Sequence, residues 1–126
     1  MEIQRWPARA PGRSRAVRHG ATVWAVCSTA DPSLGFVEQV ADCFAALERT
    51  LSEAGSDKSR LLSVQVFLAD MGHKLMLDDS WNAWIGPDPN HWPQRACVGT
   101  ALAGGLLVEL VAVAAVGNGD AADRPT

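Results

Sequence analysis

The chain has 126 residues, 48% of them hydrophobic and 20% charged, which fits one globular domain with a real core. A formal net charge of −3 gives no overall attraction to nucleic acid or to an anionic membrane. No apolar run reaches the roughly 18 residues needed to span a bilayer, and Met1-Glu-Ile-Gln-Arg-Trp-Pro7 lacks the apolar centre of a signal peptide.

Residues 1–12 carry two prolines and a glycine and read as a lead-in, a loop or short strand. Arg5, Arg9, Arg13, Arg15 and Arg18 make this segment basic. They form either an anion-binding lip or a solvated strand edge whose charges discourage edge-to-edge pairing. Ser14 to His19 and Thr22 to Cys27 flank His19-Gly20-Ala21, a hairpin signal. Asp31-Pro-Ser-Leu-Gly35 is a turn that offers Asp31 or Ser33 as a helix cap. Phe36 to Ala54 is amphipathic, with Val37, Val40, Phe44, Leu47 and Leu51 on one stripe and Gly55 as its stop.

Leu61 to Leu68 alternates as a strand, with Leu62, Val64, Val66 and Leu68 on one face. Asp70 to Ile85 reads as a second helix, with Leu77, Trp81, Trp84 and Ile85 on its packing stripe. Gly86-Pro-Asp-Pro-Asn-His-Trp-Pro93 is a stiff loop. Arg95 to Leu102 and Leu106 to Val116 are the last two strands, taken as neighbours, and the residues from Gly117 to Thr126 read as a flexible tail. The order ββαβαββ predicts one α+β domain over 1–126, a mixed sheet with two helices on one face. The last strand is apolar on both faces, so the open side of the sheet calls for a second cover. A closed homo-oligomer supplies one.

Three cysteines, Cys27, Cys43 and Cys97, show no CxxC spacing and point to reduced thiols in a cytoplasmic protein without a metal site. His19 and His91 sit in loops without ligand partners, and His73 reads as surface. The most informative charges are Arg95 and Glu109, each set in an apolar strand. A lone carboxylate in such a setting costs several kcal/mol unless something holds it. The two could pair with each other or serve a ligand. A guanidinium grips a carboxylate through two parallel hydrogen bonds, and a carboxylate can orient or deprotonate water.

Further segments carry a family likeness: Glu38-Gln39, Leu51-Ser-Glu-Ala-Gly-Ser-Asp-Lys-Ser59, Val64-Gln-Val-Phe-Leu-Ala-Asp-Met71, Trp81-Asn-Ala-Trp84, Pro93-Gln-Arg-Ala-Cys-Val98 and Val108-Glu-Leu-Val-Ala112. With these the chain resembles the RidA/YjgF family of reactive-intermediate deaminases over roughly residues 13 to 116. The resemblance implies a chorismate-mutase-like fold, a homotrimer, and three clefts shared between neighbouring subunits. It implies hydrolysis of enamines and imines to 2-oxo acids and ammonia, with no cofactor. Arg95 matches the arginine that binds the substrate carboxylate, and Glu109 the glutamate that positions water.

Three positions expected near the cleft depart from the deaminase branch. Val26-Cys27 replaces a Ser-Gly-like pair, Arg13 stands for an aromatic residue, and Asp78 stands for an asparagine. Cys97 is either a ligand-facing thiol or a small buried hydrophobe. The expected partner is a small carboxylate-bearing metabolite. The alternatives are a non-catalytic metabolite-binding or regulatory trimer using the same cleft, and a holdase using the tryptophan-rich surface.

Overall fold

The computed structural model describes residues 1–117, so the expected tail from residue 118 onward lies outside the described residues. The strands are β1 (Ile3–Pro7), β2 (Ser14–His19), β3 (Thr22–Cys27), β4 (Leu61–Leu68), β5 (Gln94–Gly99) and β6 (Val108–Ala115). The helices are α1 (Phe36–Glu53) and α2 (Lys74–Ile85). The lead-in therefore supplies one more strand than ββαβαββ counted, at the sheet edge. The six strands run in the order β1-β2-β3-β6-β4-β5. Only β4 and β5 are parallel, and α2 makes their crossover.

Local chemistry explains the turns. Gly20 closes the β2–β3 hairpin with φ 62°, a conformation that a side chain disfavours. Gly55, at φ 88°, ends α1 in a Schellman motif. The Ser56 amide donates to the Leu51 carbonyl at 2.8 Å and the Gly55 amide to Ser52 at 3.2 Å. The start of α1 differs from expectation: Gly35 is its N-cap, without a side-chain cap bond. Asp31 instead accepts from the Ser33 amide at 3.1 Å and closes its own turn.

Both helices cover one face of the sheet. Phe36, Val40, Cys43, Phe44, Leu47 and Leu51 of α1 pack there, with Leu77, Trp81 and Ile85 of α2. Val37 is off this stripe and 48% exposed, because Phe36 starts the buried face one residue earlier. Trp84 is half-buried, stacked on Phe44 at 4.3 Å. Gln39 is fully buried among these apolar neighbours.

Two bulges change side-chain parity. Leu61 pairs with Ala114 and Ser63 with Val113, so Leu62 is the extra residue and is 53% exposed instead of facing the core. Trp6 pairs with Ala16 and Pro7 with Ser14, so Arg15 is the extra residue of β2. That bulge turns the Arg15 side chain toward α1.

The opposite face of the sheet carries Trp24, Val26, Phe67, Val98, Val111 and Val113, all exposed or half-buried. Along β6, buried residues alternate with half-buried ones from Val108 to Ala115. Among the described residues no helix or second sheet covers this apolar face. No helix among the described residues is long and apolar enough to cross a membrane.

Candidate functional site

The expected site residues fall into two groups. Arg95 registers with Val64, and Cys97 with Val66, so both point to the helix-covered face. Glu109 registers with Phe67, between buried Val108 and Leu110, and points to the open face. Strand β4 lies between β5 and β6, which corrects the reading of them as adjacent strands. Two strand spacings across the sheet and three residues along β4, from Val64 to Phe67, put Arg95 and Glu109 about 14 Å apart before their opposite directions are counted. They do not form an ion pair with each other.

Arg95 has a different carboxylate. Its Nη2 donates to Asp78 Oδ1 at 2.7 Å, with side-chain exposures of 20% and 27%. Lys74 Nζ donates to the other oxygen, Oδ2, at 2.7 Å, one helical turn earlier on α2. The hydrogen bonds from Lys74 and then Arg95 hold the Asp78 carboxyl below its usual range. The Arg95 guanidinium also lies 5.3 Å from the Trp81 ring centroid. Cys97 is half-buried nearby, and burial raises its thiol pKa above the ordinary value. Asp78 therefore does more than tint the site: it already occupies part of the Arg95 fork.

The second group surrounds a cavity of about 530 Å³. Its wall includes Arg9, Arg13, Arg15, Arg49, Glu53 and Glu109, with Cys27 and Ser28 at the end of β3. Arg9 and Arg13 come from the β1–β2 turn, which is held by the Ala8 amide on the Arg13 carbonyl at 3.2 Å. Arg15, turned by its bulge, meets Glu53 at 2.7 Å and donates to Thr50 Oγ1 at 2.9 Å. Arg9 Nη2 donates to the Thr29 carbonyl at 3.4 Å. Glu109 is half-buried, and its carboxylate makes no hydrogen bond or ion pair with any described residue. Its need for a partner is met by partial solvation, not by Arg95. Cys27 is buried at 5% exposure, and desolvation pushes its thiol to about 11 despite the nearby Arg15 and Arg49.

The basic N-terminal segment thus divides. Arg5 is exposed on the edge strand β1, where it serves the strand-edge role. Arg9, Arg13 and Arg15 line the cavity. Arg49, Glu53 and Lys74 are additions to the residues that the sequence singles out for the site. The Lys74–Asp78 spacing was a legible signal, whereas Arg49 looked like any polar residue off the apolar stripe. His73 is not a simple surface residue: its ring stacks on Phe36 at 4.3 Å, and Nδ1 is buried without a partner. Among the described residues, no group of three or more His, Cys, Asp or Glu side chains is placed to hold a metal ion.

Comparison with known proteins places this geometry in a lineage. A sequence model described as Endoribonuclease L-PSP matches residues 8–116. A RutC family protein of Haemophilus ducreyi is 29% identical over 104 residues, covering 82% of this chain and 87% of that protein. The Escherichia coli RutC family protein YoaB is 35% identical over 80 residues, covering 63% and 68%. Among solved structures, an uncharacterized Pseudomonas aeruginosa protein superimposes with a TM-score of 0.84 at 30% identity, covering 92% of this chain and all of that one. A YjgF family member from Neisseria meningitidis gives 0.83 at 31% identity, covering 91% and 95%. The sheet, its two helices and these neighbours make the fold α+β and chorismate-mutase-like. With the family model matching nearly the whole described chain, the protein belongs to the RidA/YjgF family, which also carries the names RutC and L-PSP.

Proposed function

We propose that the chain is an enamine/imine deaminase-like hydrolase that acts as a homotrimer, with each site built between two subunits. One observation carries this reading. The residues expected to act together are divided within one subunit: Arg95, Asp78 and Cys97 lie beside α2, Glu109 lies on the open face of the sheet, and Arg13 and Cys27 join Glu109 around the cavity. A site that needs both groups is completed when one subunit's Arg95 side meets a neighbour's cavity. The uncovered apolar face with Trp24, Val26, Val111 and Val113 is the kind of surface that a closed oligomer buries.

In this cleft Arg95 binds the carboxylate of a 2-imino acid through the donors that Asp78 leaves free. Glu109 takes a proton from water as the oxygen attacks the imine carbon. The carbon–oxygen bond forms as the carbon–nitrogen π bond opens, and Glu109 passes its proton to the nitrogen, giving a neutral carbinolamine. Glu109 then takes the carbinolamine hydroxyl proton as the carbonyl forms and delivers it to the nitrogen, so the carbon–nitrogen bond breaks and ammonia and a 2-oxo acid leave. Holding substrate and water in register supplies much of the rate when the imine is already reactive.

The test is release of ammonia or 2-oxo acid from imines generated by an amino-acid oxidase, with wild type against Arg95→Ala. Sedimentation must give the mass of three chains. No acceleration by wild type across several imines would overturn the reaction. The second reading, a metabolite-binding trimer without turnover, is favoured by the Asp78 contact, which already offsets the Arg95 charge. An RNA-cleaving role, which the family description names, has less support. The formal charge is −3, and the lining arginines gather in one cavity instead of along a backbone-length strip.

A further inference from the structure

The cavity holds more positive charge than a monocarboxylic substrate requires. Four guanidiniums, those of Arg9, Arg13, Arg15 and Arg49, share its wall with the carboxylates of Glu53 and Glu109. Arg15 is matched by Glu53 at 2.7 Å. Arg9 is tethered to a neutral carbonyl, that of Thr29. The Arg13 and Arg49 side chains make no hydrogen bond or ion pair with any described residue. Three cations without a carboxylate partner among the described residues therefore face one free carboxylate, Glu109. Like charges gathered in a concavity repel one another and raise the local concentration of anions. The volume, about 530 Å³, also exceeds what a three- or four-carbon acid fills and lies within the range of small-molecule pockets.

We infer that this cavity receives a second acidic group, so that the preferred substrate is a dianion: a 2-imino acid carrying a carboxylate or phosphate at its far end. The assignment rests on the intersubunit cleft proposed above. The neighbour's Arg95 takes the carboxylate beside the imine, and Arg13 and Arg49 take the distal acid. Glu109 stays at the reacting carbon, away from the distal charge. Arg15, fixed by Glu53 and Thr50, keeps the wall in place.

Calorimetric titration of the full chain with product-like acids tests this without requiring turnover. The probes, all at about pH 5 where a phosphate monoester carries close to one charge, are 2-oxoglutarate and 3-phosphooxy-2-oxopropanoate as dianions and 2-oxopentanoate as the monoanion. Either dianion is expected to bind at least about tenfold tighter than 2-oxopentanoate, the size of one charge-assisted contact. The tighter of the two names the distal acid. Arg13→Gln and Arg49→Gln are each expected to cut that preference several-fold, and both side chains are exposed, so neither change disturbs the core. Equal affinity for dianion and monoanion overturns the inference. So does a preference that survives both substitutions, or no dianion binding at millimolar concentration. Arg95→Ala separates the two claims. If it weakens all three acids, the cleft stands whatever the cavity does. If dianion preference depends on Arg49 but no acid responds to Arg95→Ala, the cavity stands and the cleft falls.

Discussion

Gln39 is expected to be the most destabilising polar position in the chain to remove. It is fully buried in the apolar stripe of α1. Its Nε2 donates to the carbonyls of Leu34 and Gly105 at 3.0 Å, with a longer contact of 3.3 Å to Pro32. Its Oε1 accepts from the Leu107 amide at 2.9 Å. One side chain thus ties the turn before α1 to the segment that leads into β6 and Glu109. Gln39→Leu keeps the volume but leaves two carbonyls and one amide without partners. At about 1 kcal/mol for each such group, the loss is roughly 3 kcal/mol. With an unfolding entropy of about 2.1 cal/mol/K per residue, that lowers the melting temperature by roughly 11 °C. Urea unfolding followed by tryptophan fluorescence, at fixed chain concentration, reads the change. Amide exchange at Leu107 should rise in parallel. A loss under about 1 kcal/mol would refute the argument, because it would mean that other groups or water replace all three bonds.

Two other predictions concern titratable groups. Burial, the largest cause, raises the Cys27 thiol to about 11 and the Cys43 thiol to about 12, against an ordinary value of 9.0. The unfolded chain therefore loses these protons first as pH rises. Stability should be intact below about pH 9 and fall progressively toward pH 11 to 12. Cys43→Ala should flatten that alkaline decline, and an unchanged slope would remove Cys43 from the account. Asp78→Asn should raise affinity for 2-oxopentanoate several-fold by freeing the Arg95 fork. A fall in affinity would mean that Asp78 positions Arg95 instead of competing for it.

Much of the fold was legible because local signals agreed. The β4 bounds, Phe36 as the first residue of α1 and its Gly55 stop follow from alternation, helical spacing and the need for a left-handed residue, whereas the Gly35 cap does not. What stayed hidden depends on partners far along the chain. Nothing in β5 or β6 says that β4 lies between them, so Arg95 and Glu109 looked like neighbours. The bulges at Arg15 and Leu62 reverse parity at one residue each, and only the pairing strand reveals them. For that reason alternation alone puts Leu62 on the face of Val64, Val66 and Leu68, and it cannot show that Arg15 turns to meet Glu53. Gln39 belongs to a family-like segment, yet what holds it there includes a carbonyl as far along the chain as Gly105.

The same division supplies the decisive measurement. Arg95→Ala and Glu109→Ala chains, each expected to be inactive when pure under the proposed mechanism, are unfolded together in equal amounts and refolded. If each cleft takes Arg95 from one subunit and Glu109 from its neighbour, random mixing rebuilds both residues in about one quarter of the clefts. Imine hydrolysis should then recover to about a quarter of the wild-type rate. Activity that stays at the level of the separate mutants would contradict a shared cleft and place both roles within one chain.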